Sequence, residues 1–170
     1  MNCQRHRRQH QMANSGLCGV AIANATTSPT AAYNSSTELN TQTQQAMIDA
    51  INDEYHARAF YTAVINKFGE VRPFSNIVHS EDRHVSLWNH LFSKYRLPIP
   101  ADNFMGNVQT PDTLKAACQA GVESEIANVE MYDRFLEFVQ ESDLRAAFTQ
   151  LRYVSQNHHL PAFQRCVSRY

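Results

Sequence analysis

The sequence predicts an all-α fold, an antiparallel four-helix bundle, from three observations. The chain of 170 residues is 43% hydrophobic and holds only five glycines. Glycine therefore makes up less than half the roughly 7% that is usual in globular proteins, which disfavours a turn-rich β sandwich or barrel. Apolar residues recur at spacings of three and four along four separate stretches, as on amphipathic helices. Turn and capping signals divide the stretches into two pairs with short turns, and a longer loop joins the pairs.

The first helix is predicted over about residues 37–68. Its apolar stripe consists of Met47, Ile51, Tyr61, Ile65 and Phe68. The pattern Ser35-x-x-Glu38 predicts a capping box at its start, and Gly69 is the residue type that commonly follows a helix end. These signals bound one long amphipathic helix.

The second helix is predicted over about residues 75–95. Its stripe consists of Phe74, Ile77, Val78, Val85, Trp88, Leu91, Phe92 and Tyr95. Pro98 and Pro100 follow, and a helix ends before prolines because proline lacks the N–H that the helix needs. A longer loop therefore begins near residue 96.

The second pair of helices begins after that loop. Thr110-Pro111 predicts an N-cap followed by proline at the first helical position. The polar break at residues 141–143 separates helix three from helix four, which is predicted to run to about Cys166. The inward stripes of these helices include Leu114, Cys118, Val122, Val129, Tyr132, Leu136 and Val139, then Leu144, Phe148, Leu151, Ser155 and His159.

Composition excludes several classes of function. The net charge of -1 and the pI near 6.7 disfavour nucleic acid and anionic membranes as main partners. No run approaches the roughly 18 apolar residues of a membrane span. The four cysteines, at positions 3, 18, 118 and 166, form no C-x-x-C pair. We therefore predict neither a zinc ribbon nor a disulfide framework, and interpret the cysteines as packing thiols.

The first 37 residues differ in character from the rest and are predicted to be a leader, with the bundle occupying residues 38–170. They contain three arginines and no acidic residue. The basic run at residues 5–8, the apolar stretch at residues 17–23 and Ala23-Asn24-Ala25 resemble a signal peptide cleaved near Ala25. This pattern favours an exported or periplasmic protein. Import into an organelle and a disordered tail on a cytoplasmic protein are the alternatives.

Charged residues interrupt the helix faces that turn toward the bundle interior. The apolar register places Glu54 inside on helix one, Glu81 and His84 inside on helix two, and Glu125 inside on helix three. Because burying an ionised group without a partner costs several kcal/mol or more, the inward positions of these residues require a common partner that stabilises their charges. A second acidic stripe on helix three is predicted to face solvent, and it consists of Glu123, Glu130, Asp133 and Glu137.

Helix four offers an inward histidine in one of two registers. The first is Gln156-x-x-His159 and the second is Ser155-x-x-His158. The spacing of Glu81 and His84 puts both side chains on one helix face, about one turn apart, where they can hold one metal ion. Four further histidines of the bundle fall beside the inward faces and are predicted to lie on the surface or to support the ligands from outside the cluster: His56, His79, His90 and His158.

Two tyrosines repeat a spacing relative to the inward carboxylates. Tyr61 follows Glu54 by seven residues, and Tyr132 follows Glu125 by seven residues. Residues seven apart share a helix face, so each tyrosine is predicted to lie near the carboxylates. We expect Tyr61 and Tyr132 to donate hydrogen bonds that orient carboxylate ligands.

Four strings of residues together resemble a known superfamily. They are Glu54-Tyr55-His56-Ala57-Arg58, Phe74-Ser75-Asn76-Ile77-Val78-His79-Ser80-Glu81-Asp82-Arg83-His84, Ala120-Gly121 to Glu125, and His159-Leu160-Pro161-Ala162-Phe163. They resemble the ferritin-like superfamily, in particular a rubrerythrin-related domain family of unknown function, over about residues 38–166. The resemblance implies a ferritin-like four-helix bundle.

The resemblance also implies a metal centre and its ligands. Glu54 and His84 would hold one metal with Glu81 bridging, and Glu125 with His159 would hold the second. Iron is the implied cofactor, as one or two ions, with manganese or zinc as alternatives. The implied activity is that of an oxidase or peroxidase acting on a small oxidant such as dioxygen or peroxide. Because no cysteine-rich electron-transfer segment accompanies the bundle, an external electron donor is expected. A homodimer is one assembly that the resemblance allows.

The sequence departs from the superfamily pattern in helix four. Gln156 stands where a second bridging glutamate is expected, and three carboxylates against two divalent cations leave a formal charge of +1. A neutral amide oxygen is a poorer ligand for a hard cation. Pro161 is expected to kink the helix beside His159.

Two alternatives follow from the same residues. The first is a non-catalytic bundle, a binding or stress-associated domain with a degenerate or single-ion site, which Gln156 favours. The second is purely structural: Glu54 and Glu81 would be paired with Arg58 and Arg83.

Overall fold

All regular structure between residues 38 and 170 is helical. The computed structural model describes these residues, and no strand occurs among them. The predicted leader and its cleavage near Ala25 lie outside the described part of the chain. Within residues 38–170, none of the helices is long and apolar enough to cross a membrane.

Five α-helices and one π-helical turn form four rods. The helices are α1 Thr41–Phe68, α2 Phe74–Lys94, α3 Leu114–Phe138, α4 Ser142–Val154 and α5 Leu160–Val167. The π turn Ser155–His159 joins α4 to α5 without a break, so residues 142–167 form one rod, called the fourth rod below. The predicted all-α four-helix bundle is thereby confirmed.

The first helix begins later than the capping box predicts. The Asn40 side chain accepts a hydrogen bond of 2.8 Å from the Thr43 backbone N–H, which caps α1 at Thr41. Glu38 therefore precedes the helix, and Ser35 lies outside the described residues, so the predicted box is wrong. The helix end is as predicted: Gly69 has φ 85°, a conformation that favours glycine.

The third helix also begins later than predicted. The Thr113 hydroxyl accepts a hydrogen bond of 3.1 Å from the Ala116 backbone N–H and caps α3 at Leu114. The prediction of a start at Thr110-Pro111 is therefore wrong by three residues. Two threonines three residues apart offer the same cap, and the hydrogen bond is made by the second.

The connection between α2 and α3 crosses the length of the bundle. Residues 95–113 run along α1, where Arg58 Nη2 lies 2.7 Å from Asp102 Oδ2 and Lys67 Nζ donates to the Pro111 carbonyl over 2.8 Å. Because the loop returns the chain along the bundle, α3 runs parallel to α2 and antiparallel to α1. The bundle therefore has one long crossover between two antiparallel pairs.

Two apolar clusters fill the interior, one toward each end. The first includes Met47, Ile51, Trp88, Phe92, Tyr132, Phe148 and Leu151. The second includes Tyr61, Val64, Phe74, Ile77, Cys118, Phe163 and Cys166. On every rod the chain passes from one cluster to the other. Any buried polar residue between them is thus held at the middle of the bundle.

A disulfide bond links α3 to α5 within the second cluster. The Cys118 and Cys166 sulfurs are 2.01 Å apart, and the residues are separated by 48 positions in the chain. The interpretation of these two cysteines as packing thiols is therefore wrong. Their separation hides the pair in the sequence, because only the folding of the fourth rod against α3 brings them together. Cys3 and Cys18 lie outside the described residues.

Candidate metal centre

Five ionisable side chains meet between the two apolar clusters, at the same depth on all four rods. All are buried, with 2–8% of each residue exposed. They are Glu54 on α1, Glu81 and His84 on α2, Glu125 on α3 and His159 in the π turn. The structure therefore brings together five of the six residues that the sequence predicts as metal ligands.

The first group consists of Glu54, Glu81 and His84, called the first trio below. His84 Nδ1 lies 3.1 Å from Glu54 Oε2 and 2.8 Å from Glu81 Oε2. Each residue offers one ligand atom, and these atoms all lie within 4.8 Å of one another. One imidazole nitrogen and two carboxylate oxygens therefore lie close enough together to be ligands of one metal ion.

The second group consists of Glu81, Glu125 and His159, called the second trio. His159 Nδ1 lies 3.3 Å from Glu81 Oε1 and 3.4 Å from Glu125 Oε1. These ligand atoms also lie within 4.8 Å of one another. Glu81 belongs to both trios and turns one carboxylate oxygen toward each histidine, which is the arrangement of a bridging carboxylate.

The two tyrosines hold carboxylates of the opposite hairpin. The Tyr61 hydroxyl donates to Glu125 Oε1 over 2.8 Å, and the Tyr132 hydroxyl donates to Glu54 Oε1 over 2.6 Å. The expected hydrogen bonds therefore exist, but between α1 and α3 rather than within one helix. Burial, together with the nearby carboxylates, raises the pKa of both phenols well above the ordinary value, so both stay neutral donors.

A serine contacts the outer nitrogen of one histidine. Ser80 Oγ lies 3.2 Å from His84 Nε2, while Nδ1 of the same ring faces the carboxylates. A partner on the outer nitrogen fixes the orientation of a ligating imidazole. Ser80 lies one turn before His84, so the spacing of four residues is the signal in the sequence that points to it.

The ion pair between His84 and Glu54 shifts the pKa values of the two groups in opposite directions. Burial alone would raise the pKa of Glu54, but the His84 imidazolium and its hydrogen bond lower it to about 2. Burial alone would lower the pKa of His84, but the charge of Glu54 and hydrogen bonds to both carboxylates raise it to about 10. Burial and the Glu54 charge raise the pKa of Glu81 well above its usual range.

Arginine does not neutralise these carboxylates. Within residues 38–170, no lysine or arginine pairs with Glu54, Glu81 or Glu125. Arg58 instead pairs with Asp102, and Arg83 is exposed. The purely structural alternative, in which these two arginines satisfy the glutamates, is therefore wrong.

Gln156 does not reach the cluster. It is exposed, and its Oε1 accepts a hydrogen bond of 2.8 Å from Arg152 Nη1. The reason is the π turn, whose wider spiral rotates Gln156 away from the inward face that Ser155 and His159, four residues apart, share. The prediction of Gln156 as a ligand, which assumed an unbroken α-helix, is thus corrected.

The π turn lies immediately before Pro161, where a distortion was expected. Leu160 donates its backbone N–H to the Ser155 carbonyl, five residues back. Neither predicted register of helix four is fully right. The inward residues are Ser155, which one register places inside, and His159, which the other register places inside. His158 is exposed. The other surface histidines, His56, His79 and His90, and the acidic stripe on α3 are exposed as predicted.

A chain of polar groups that the sequence analysis missed crosses the bundle beside the cluster. Ser155 Oγ donates to Asn128 Oδ1 over 2.8 Å, and Asn128 Nδ2 donates to Asp53 Oδ2. Burial, together with the charge of Glu54, raises the pKa of Asp53 to about 7. Asn128 lies three residues after Glu125, and that spacing was the signal in the sequence that could have identified it.

The donor set fits a pair of divalent transition metals. Carboxylate oxygens and imidazole nitrogens together suit iron, manganese and zinc. Two divalent cations would also neutralise the three buried carboxylates, whose ion-pair partners in the described part of the chain are the two imidazoles. Metal binding thus offers one reason for five ionisable groups to share a buried position.

Comparison with known proteins identifies a relative of unknown function. No protein-family model matches the chain. The uncharacterized protein MJ0754 of Methanocaldococcus jannaschii is 24% identical over 147 residues, which cover 78% of each protein. The crystal structure of the hypothetical protein MJ0754 from Methanococcus jannaschii superposes with a TM-score of 0.71 at 22% identity, over 78% of this chain and 83% of that one. This similarity shows that the two proteins share the fold of the helical bundle.

Proposed function

We propose that this chain is a ferritin-like metalloprotein that binds two iron ions, one in each trio, and oxidises them with a small oxidant. The observation that carries the proposal is the position of Glu81. Its two oxygens face His84 and His159 separately, at 2.8 Å and 3.3 Å. A carboxylate placed between two such sites is the feature by which one residue can bridge a metal pair.

The topology supports the resemblance to the ferritin-like superfamily. A bundle of two antiparallel pairs joined by one long crossover is the arrangement of ferritin-like folds. The pattern Glu81-x-x-His84 on α2, with Glu54 contributed by the neighbouring helix, follows the ligand arrangement of the carboxylate-bridged metal proteins with that fold.

The chemistry of the proposal divides between the metal and the chain. Iron held by the carboxylates and imidazoles of the two trios would supply electrons to dioxygen or peroxide. Tyr61 and Tyr132 orient the terminal carboxylates, and the two apolar clusters exclude water on either side. In the described part of the chain the two cysteines are joined to each other, so continued turnover needs an external electron donor.

A non-catalytic bundle with one structural ion is the second candidate. Its supporting observation is that the fourth rod contributes His159 but no carboxylate to the cluster, and that Gln156 faces solvent. A site short of one negative charge holds its second cation less tightly. In this case the chain would be a binding or stress-associated domain.

Anaerobic titration with ferrous iron separates the two candidates. The purified, chelator-free protein is loaded without oxygen, freed of excess iron and assayed for bound metal. We expect two ions per chain, and on exposure to air we expect the near-ultraviolet absorption of ferric carboxylate sites to develop. One ion per chain without oxidation would support the single-ion candidate. No binding would contradict both candidates.

Variants of the trios test which residues hold the ions. Glu81→Gln removes a charge shared by both trios and is expected to lower the affinity for both ions. Glu125→Gln affects the second trio alone and is expected to leave one tight site. Gln156→Glu is the matched control, because its side chain faces solvent, and it is expected to bind as the unmodified protein does.

A further inference from the structure

A cavity opens beside the second trio, between α2 and the fourth rod. Its volume is about 430 Å³, and His159 forms part of its wall. Ser80, which contacts the outer nitrogen of His84, forms another part. The cavity therefore approaches the cluster from the side of both histidines. The side chain of His84, at 10% exposed, is also more exposed than those of the three glutamates.

The cavity wall carries hydrogen-bond donors and no carboxylate. Arg83, His158 and Asn76 line it together with the Ser80 hydroxyl, and its remaining residues are apolar apart from His159. Arg83 forms no ion pair with any carboxylate of residues 38–170. A free guanidinium with neighbouring N–H and O–H donors suits a carboxylate or phosphate group. The same wall does not suit a free metal cation.

The charge of the loaded cluster also favours an anion. Two divalent cations with Glu54, Glu81 and Glu125 leave a formal charge of +1, and the fourth rod adds no carboxylate, since its residue in the cluster is His159. The cavity lies along that rod, next to His159. An external anion there would supply the negative charge that the rod lacks.

We propose that this cavity binds a small oxyanion, bearing a carboxylate or phosphate group, between Arg83 and the second trio. The inference rests on the proposed metal pair and adds to it a class of ligand and a residue that selects it. Arg83 attracts and orients the anion, while His158 and Asn76 add donors. The substrate or co-ligand of the centre is then an acid, rather than a neutral oxidant alone.

Cobalt provides a test that does not depend on activity. The protein is loaded with Co²⁺, whose visible absorption responds to its ligands, and is titrated separately with sodium acetate, inorganic phosphate and sodium chloride. Acetate and phosphate are expected to change the absorption with saturation, and chloride is not. Comparison of the two dissociation constants shows whether a carboxylate or a phosphate group is preferred.

Variants connect the effect to the cavity. Arg83→Gln is expected to weaken binding of the preferred anion about tenfold, the loss of one charge-assisted contact. Arg134→Gln, an exposed arginine on α3, is the matched control and should bind the anion as the unmodified protein does. If Co²⁺ binds but the anions have no effect, or Arg83→Gln binds them unchanged, this inference is wrong while the proposal of a metal-binding cluster is unaffected. If Co²⁺ does not bind, both are wrong.

Discussion

The Tyr132 hydroxyl donates a hydrogen bond of 2.6 Å to Glu54 Oε1 across the interface between α3 and α1. Tyr61 makes the reciprocal bond to Glu125, so two helices exchange phenol and carboxylate partners. A hydrogen bond to a charged group typically contributes about 1.5–3 kcal/mol. These bonds therefore hold the carboxylates in position before any metal binds.

Removing either phenol hydroxyl should weaken the fold and the adjacent trio. We expect Tyr132→Phe and Tyr61→Phe each to lower the free energy of unfolding by about 1.5–3 kcal/mol, measured by urea denaturation of the metal-free protein. Tyr153→Phe, an exposed tyrosine, is the control and should change little. Buried-site variants as stable as that control would contradict the role assigned to the phenols.

Metal affinity should increase with pH because His84 must lose a proton. In the metal-free protein the pKa of His84 is raised from 6.5 to about 10, whereas a metal binds the neutral imidazole. Binding at pH 7 therefore releases a proton, and affinity rises up to about tenfold per pH unit toward pH 10. Calorimetry in two buffers of different ionisation enthalpy measures the released protons. An affinity independent of pH would contradict this coupling.

The same pKa makes the stability of the metal-free protein depend on pH in a defined direction. Because the folded pKa of His84 lies above the unfolded value, its contribution is complete below pH 6.5 and is lost as pH rises through 10. Glu54 acts in the opposite sense: its pKa falls from 4.5 to about 2, so its contribution is complete above pH 4.5 and lost toward pH 2. Their pair should stabilise the fold most between pH 4.5 and 6.5, which thermal unfolding across pH can measure.

Asp53 should destabilise the metal-free protein at alkaline pH. Burial raises its pKa from 3.8 to about 7, so the folded state favours the protonated form, and stability falls as pH rises from 3.8 through 7. The neutral variant Asp53→Asn should therefore be more stable than the unmodified protein at pH 8. Asp49→Asn, on the exposed face of α1, should have no such effect. A loss of stability in Asp53→Asn at pH 8 would contradict the assignment.

Gly121 permits the close approach of α3 and α5. A Cβ at this position would lie 2.5 Å from Phe163 Cδ1. Helix propensity alone would make alanine about 1 kcal/mol more stable than glycine here, whereas overpacking costs about 1–3 kcal/mol. We expect Gly121→Ala to be destabilising and Gly121→Ala with Phe163→Leu to recover part of the loss. Urea denaturation of the four members of this cycle measures both terms, and a stabilising Gly121→Ala would contradict the packing.

Much of the bundle can be predicted from sequence because apolar periodicity reports which face of a helix is buried. The same periodicity places Glu54, Glu81 and Glu125 inside, and the structure agrees. Exact helix starts are less predictable, since Thr110 and Thr113 offer the same capping chemistry and only Thr113 makes the bond. Which of two equivalent local signals is used depends on the packing of the whole loop.

Two features depend on geometry that no local pattern encodes. The π turn shifts the register within the fourth rod, so Ser155 of one predicted register and His159 of the other both face inward, and Gln156 does not. The bond between Cys118 and Cys166 joins residues 48 positions apart. The sequence predicts that carboxylates and an imidazole face the interior. The π turn determines that Ser155, and not Gln156, faces inward beside His159.

Anomalous diffraction from crystals of the iron-loaded protein, recorded at the iron absorption edge, tests the metal pair most directly. We expect two peaks per chain. One should lie among Glu54, Glu81 and His84, and the other among Glu81, Glu125 and His159. A map of the iron-loaded protein with no peak between the two apolar clusters, or with iron bound only at the surface, would contradict it.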